Sequence, residues 1–431
     1  MIPLNTTFFW VFLGFYLLHE SVHLGLEIIN YKHVKKQQDC PDFFKTKITG
    51  EVFQKSKFYT LEKIKFSITA HCAVIPFFWI LVFRNGFNTF DYYAAMHGGF
   101  GTLTHSVVFC IYLAVYFGII HLPFKLYSIF VIEEKYGFNK MTPRLFIIDL
   151  VKSIAIGSAI TIPLLYLVFW FMQASGPYWW LFVWFAVTAF QLTMTIVYPA
   201  LLAPLFNKFT PLQNAELKNR ITKTANDIKF GLAGIFVMDG SRRSSHSNAY
   251  FAGVGKFKRI VLFDTLITRL TTDELVAVLA HEMGHYIKKH IRDFMIIASL
   301  LSLAGFYTLA LLIDWPDFYK AFNVSLPSPH TALVIFAVVS EVFTFALTPI
   351  LNMLSRKNEF AADRFSVEAT GHKDAMKSAL LKLTSDNLSN LTPHPLYSFY
   401  HYSHPTPVER ALALDQVIIN KSDEQREGPQ T

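Results

Sequence analysis

Seven long apolar runs limit this chain more than any other feature: 7–30, 66–83, 100–121, 146–172, 178–202, 294–313 and 332–354. About 20 apolar residues in a helix cross a hydrocarbon layer of roughly 30 Å, so these runs predict an all-α polytopic membrane protein. Composition agrees, with 52% hydrophobic, 16% aromatic and only 16% charged residues in 431. The first run lacks a basic leader and a small-residue cleavage site, and it carries Glu20 and Glu27. It is read as a retained anchor rather than a removable signal peptide.

Lys/Arg bias gives an orientation. The 31–65 loop holds nine lysines and 122–145 holds Lys125, Lys135, Lys140 and Arg144, whereas 85–99 and 174–177 hold none. The positive-inside rule then puts the N-terminus in the lumen and the C-terminus in the cytosol. The chain is parsed as a five-span block (1–205), a soluble insert (206–293), two further spans (294–354) and a C-terminal part (355–431) that faces the cytosol with the insert. A net charge of +8 concentrated on that face favours the lipid bilayer's anionic leaflet and not nucleic acid. Cys40, Cys72 and Cys110 have neither metal spacing nor an even count, and read as packing residues or incidental thiols.

The insert carries the chemistry. "NAELKNRITKTANDIKF" has a helical pattern, "GIFVMDG" and "RIVLFDTLI" read as short strands, and Thr271 with Glu274 forms a capping-box signature opening a long helix. Inside that helix lies "HEMGH" at 281–285. Two histidines four apart share one helix face and can reach one tetrahedral zinc ion, with Glu282 beside them as the base that takes a proton from an attacking water. Gly284 costs a helix interior about 1 kcal/mol relative to Ala, so something is expected to pack against its backbone. A third ligand is still needed. In "SRKNEFAADRF", Glu359 and Asp363 are four apart; the first is read as ligand and the second as the acceptor for an imidazole N–H. Spacing alone favours the other reading, two solvated carboxylates on a polar helix.

"LAHEMGHYIKKH" with "NEFAADRF", "SRRSSHSNAYFAGVGKFKRIVLFDTLI", "VIEEKYGFNKMTPRLFIIDL" and "YHYSHPTPVERALAL" resembles the type I zinc CAAX prenyl proteases of the endoplasmic reticulum and inner nuclear membrane. The likeness runs from about residue 60 to 415. It implies a barrel of seven transmembrane helices around a water-filled chamber, with a mostly helical zinc-protease domain with few short strands on the cytosolic side. It implies removal of the last three residues from prenylated (farnesylated) CAAX protein substrates. On matching positions it implies one Zn2+ per chain held by His281, His285 and Glu359, Glu282 as catalytic base, Asn248 and His404 contacting substrate, and Arg410 supporting that end of the site.

"HESVH" at 19–23 repeats the HExxH spacing inside the first span. His19, His23 and Glu27, with Glu20 close by, read as a polar stripe facing an interior cavity rather than as a second zinc site. His71, His105, Asp149, Lys152, Gln191 and Glu341 repeat the pattern in other spans and argue for a hydrated interior. Three other functions fit parts of this pattern: a quality-control protease without prenyl dependence, a polar-lined carrier needing no zinc, and a catalytically dead scaffold.

Overall fold

The computed structural model describes residues 6–45, 47–253 and 258–418; the polar tail after about 420 lies outside the described residues. The chain divides into two compact units. One comprises the chain up to Tyr31, Leu61–Thr195 and Phe294–Thr348; the other comprises Lys32–Thr60, Ile196–Asp293 and the chain from Pro349.

Seven helices among the described residues are long and apolar enough to cross a membrane: Thr7–Lys36, Gly50–Phe83, Leu103–Glu133, Pro143–Ala174, Gly176–Phe206, His290–Leu312 and Pro329–Thr370. Each contains one of the apolar runs or nearly all of it. Pro76, Pro123 and Pro163 sit inside three of them, which membrane helices tolerate. In the first unit, aromatic side chains dominate the core, with Phe12, Phe109, Phe318 and Tyr319 fully buried. Ile119, Ile154 and Phe185 stay exposed on its helices, as apolar surface facing lipid would be.

The 85–99 stretch, read above as a short loop, is a 13-residue helix, Gly86–Gly98. Asn85 enters it in the left-handed region at φ 56°, and a Cβ at Gly98 would lie 2.6 Å from the His105 backbone nitrogen. Glycine is what permits that close return. The turn delivers Asp91 to His105 and His330, all three buried. Asp91 Oδ1 lies 3.0 Å from His105 Nε2 and 2.7 Å from His330 Nε2, and Ser106 Oγ is 3.0 Å from His330 Nδ1. His105 therefore belongs to a dry, hydrogen-bonded cluster, which corrects its reading as part of a hydrated lining. In the first span, Glu20 turns to His71, 2.5 Å away, with His19 Nδ1 at 3.4 Å.

In the second unit, Phe44, Ile48 and Phe53 of the lysine-rich segment pack with Leu381 and Leu391, and Cys40 is buried among them. A four-stranded sheet, ordered β1-β2-β4-β3, comprises β1 (Phe209–Pro211), β2 (Gly234–Met238), β3 (Ala249–Ala252) and β4 (Arg259–Phe263). The β-branched and aromatic content of "GIFVM" and "RIVLF" suits a half-buried pleated surface. β2 and β4 run parallel, and β3 is an edge strand antiparallel to β4.

Candidate metal centre

The "HEMGH" helix spans Thr272–Ile287 and starts where the sequence places it. Glu274 N–H donates to Thr271 Oγ1 at 3.4 Å and Thr271 N–H donates to Glu274 Oε2 at 2.8 Å. The Glu274 carboxylate also accepts from Ser378 Oγ at 2.7 Å and Lys382 Nζ at 2.8 Å, tying the helix start to the neighbouring helix Lys373–Asp386. Leu275, Val276, Leu279 and Met283 are buried in a core shared with Ile260 and Leu262 of β4. A helix clamped at its start and buried along its length holds its functional side chains rigidly.

Gly284 packs closely against the helix segment Thr348–Thr370. A Cβ there would lie 3.2 Å from Ala362 Cα and 3.1 Å from Phe365 Cδ1, so the packing inferred from this glycine is present. Ser366 Oγ donates to the Ala277 carbonyl at 2.6 Å and fastens the same crossing. Glu359 and Asp363, only 4% and 1% exposed, thereby face the two imidazoles instead of solvent.

His281 Nε2 lies 3.2 Å from His285 Nε2 and 3.4 Å from Glu359 Oε2, while His285 Nε2 lies 3.2 Å from Glu359 Oε1. Donors bound tetrahedrally to one ion at 2.0–2.1 Å stand about 3.3 Å from each other; the two Nε2 atoms are spaced that way, and each carboxylate oxygen of Glu359 lies at a similar distance from one of the two rings. The hydrogen-bonding pattern agrees. His281 Nδ1 faces Asp363 Oδ1 at 2.8 Å and donates there, so Nε2 is the ring atom turned toward His285 and Glu359. Glu359 Oε2 is buried with no hydrogen-bond partner. A buried carboxylate oxygen without a partner beside two imidazoles calls for a cation between them. Without one, burial disfavours charge on His281, but the Asp363 and Glu359 carboxylates outweigh it and lift the ring to about 9. The Asp91–His105–His330 set also gathers three donors, with contacts of 2.7 and 3.0 Å that fit ordinary hydrogen bonds.

Glu282 adjoins the pair on the same helix. Burial pushes its carboxyl above the usual range, with His281, His285 and Arg410 pulling the other way; a stronger base results. Arg410 grips Asp363 with two prongs, Nε to Oδ2 at 2.8 Å and Nη2 to Oδ1 at 2.5 Å. Its Nη1 lies 3.8 Å from Glu359 Oε2. Arg410, which the resemblance assigns to supporting this end of the site, thus contacts the carboxylates of both Asp363 and Glu359. His404 is 64% exposed at the side chain, with Nε2 3.3 Å from Glu359 Oε1. His404 and Arg410 also line a cavity of about 580 Å³ that includes Asn387, Ser403 and Thr406. Asn248 is exposed at the start of β3, and its side-chain oxygen accepts from Ala249 N–H at 2.8 Å; β3 itself packs against the "HEMGH" helix. His290, not singled out by the sequence reading, puts Nδ1 3.1 Å from His285 Nδ1.

The chain is similar to known proteins along most of its length. Residues 30–208 match the family described as CAAX prenyl protease N-terminal, five membrane helices, and residues 211–418 match peptidase family M48. The chain is 38% identical to CAAX prenyl protease 1 homolog of Arabidopsis thaliana, over 85% of this chain and 88% of that one. It is 36% identical to CAAX prenyl protease 1 of Saccharomyces cerevisiae, over 92% and 93%. The human CAAX prenyl protease 1 homolog is 34% identical, over 85% and 86%. The crystal structure of S. mikatae Ste24p superposes with a TM-score of 0.89 at 33% identity, covering 95% of this chain and all of that one. Two family matches, relatives aligned over most of their length and a shared fold lead to one statement: the chain belongs to peptidase family M48, among its CAAX prenyl proteases, and is a multi-pass membrane metallopeptidase.

Proposed function

We propose that this enzyme uses one zinc ion to remove the C-terminal tripeptide from prenylated CAAX proteins at the cytosolic face of the endoplasmic reticulum membrane. The observation that carries the zinc reading is the convergence of His281, His285 and Glu359, each offering one donor atom within 4.8 Å of the other two, with the two imidazole Nε2 atoms 3.2 Å apart. Two imidazoles and one carboxylate are the donor set of a catalytic zinc site with a fourth position left open. Zinc held by these three residues would supply a Lewis acid that polarises a carbonyl and makes water a stronger acid.

The chain's own residues do the rest. Glu282 accepts the proton of the attacking water and returns it to the leaving amine nitrogen as the peptide bond breaks. Asp363 holds the His281 Nδ1 proton and so keeps Nε2 free, while Arg410 fixes Asp363 in place. The exposed His404 ring and the Asn248 side chain donate to substrate carbonyls flanking the bond. The edge of β3 that has no strand partner among the described residues offers main-chain hydrogen bonds to an extended peptide, which demands little of its sequence. The cavity beside His404 and Arg410, at about 580 Å³, lies within the range of small-ligand sites and would receive the released end. The names of the relatives support a prenylated substrate, and the lysine-rich segments support a lumenal N-terminus and cytosolic C-terminus.

Mass spectrometry of products from one CAAX peptide, with and without its farnesyl group and with and without a chelator, tests the reading. An intact tripeptide released only from the farnesylated peptide and only with metal present is expected. Equal cleavage of both peptides would replace the prenyl reading with quality-control proteolysis, and turnover indifferent to metal would remove the zinc.

A further inference from the structure

The two histidines of the metal centre have different outer partners. His281 is backed by the Asp363 carboxylate, 2.8 Å from its Nδ1. His285 is backed by another ring: His290 Nδ1 lies 3.1 Å from His285 Nδ1, with the ring planes at 76°. His290 is 7% exposed. An unbroken helix would turn a residue five positions on about 140° away from His285. Instead the helix ends at Ile287. Lys289 takes φ 63°, a left-handed conformation that costs a non-glycine residue roughly 1 kcal/mol or more, and a new helix starts at His290. This strained link folds His290 back onto the site.

Because His285 Nε2 faces His281 and Glu359, its proton must sit on Nδ1 whenever Nε2 binds a cation, and that N–H needs an acceptor. We propose that His290 is a positioning residue for the metal centre: its Nδ1 accepts the His285 Nδ1 proton, fixing the tautomer and orientation that expose Nε2 to the metal. His290 then carries its own proton on Nε2. This inference rests on the zinc reading above.

The test compares His290→Leu with His290→Asn in the full-length protein; the two side chains are nearly isosteric, and only Asn offers an acceptor where Nδ1 stood. Zn2+ affinity is measured by competition with a chelator, and the visible absorption of the Co2+-loaded protein reports ligand geometry. His290→Leu is expected to bind Zn2+ about 10–100-fold more weakly with an altered Co2+ spectrum, and His290→Asn to recover most of both. Thermal melts of the stripped proteins show whether either variant has lost its fold; if the Leu variant has, His290→Ala takes its place in the comparison. Parental Zn2+ affinity and Co2+ spectrum in the folded Leu or Ala variant would overturn the inference alone. Equal weakening in the Asn and the apolar variant would also overturn it, since only size would then matter. A parent protein that binds no metal, like a His281→Ala control, would sink the zinc reading first.

Discussion

Replacing Gly284 with alanine separates local helix energetics from the geometry of the site. On helix propensity alone, Gly284→Ala should stabilise the protein by about 1 kcal/mol. The structure opposes this, because the new methyl would sit 3.2 Å from Ala362 Cα and 3.1 Å from Phe365 Cδ1. Ordinary carbon contacts lie at 3.5–4.0 Å. The Phe365 ring can rotate aside, but Ala362 Cα is backbone, so the segment carrying Glu359 must retreat by about 0.5 Å. Overpacking of this kind costs about 1–3 kcal/mol, leaving a net loss of about 0–2 kcal/mol. The site is more sensitive than the fold, since metal–ligand distances tolerate only about 0.2 Å. Metal affinity and turnover should therefore fall by at least about tenfold while most stability survives. Thermal melts, chelator competition and peptide turnover on the purified variant measure all three. An alanine variant that melts higher than the parent and keeps its metal affinity would refute the close crossing as the device that brings Glu359 to the histidines.

Glu282→Gln should retain the metal and lose about 10²–10⁴-fold in turnover, checked by zinc content beside peptide cleavage. Glu359→Ala should lower zinc occupancy in the purified protein, read by elemental analysis. Arg410→Met leaves the buried Asp363 carboxylate without its fork and should destabilise the fold by about 3–5 kcal/mol; restoring most of that stability with Asp363→Asn in the same chain would show the pair acting as a unit. The His281 ring, lifted to about 9 in the metal-free protein, must lose its proton to bind metal. Apparent metal affinity should rise about tenfold per pH unit from below neutrality and level off near that value, in a metal-buffered titration. The sign reverses for the metal-free fold: the raised value stabilises it at low pH, and that contribution fades as pH climbs from about 6.5 toward about 9.

The features legible in the sequence are those whose cause is local. Thr271 and Glu274 announce a helix start through a three-residue pattern, "HEMGH" fixes its own geometry, and a glycine within a helix implies a close neighbour. The seven membrane helices follow from length and apolarity, and "GIFVM" and "RIVLF" from their side chains. What escaped depends on closure across the chain. Asp91 and His330 are 239 positions apart, and nothing local in "NTFDYYAAMHGG" says that its aspartate will be buried against two imidazoles. Arg410 and Asp363 are 47 apart, so the fork appears only after the intervening helices pack. His290 was hidden because Lys289, neither glycine nor proline, breaks the helix in a left-handed conformation that its side chain does not advertise.

The central claim is a single zinc ion held by two imidazoles and one carboxylate on the second unit. An anomalous difference map from crystals, recorded on either side of the zinc absorption edge, tests it most directly. The account predicts one peak per chain, about 2.0–2.2 Å from His281 Nε2, His285 Nε2 and a Glu359 oxygen. A map with no peak there, or with its peak at Asp91, His105 and His330 instead, would contradict it.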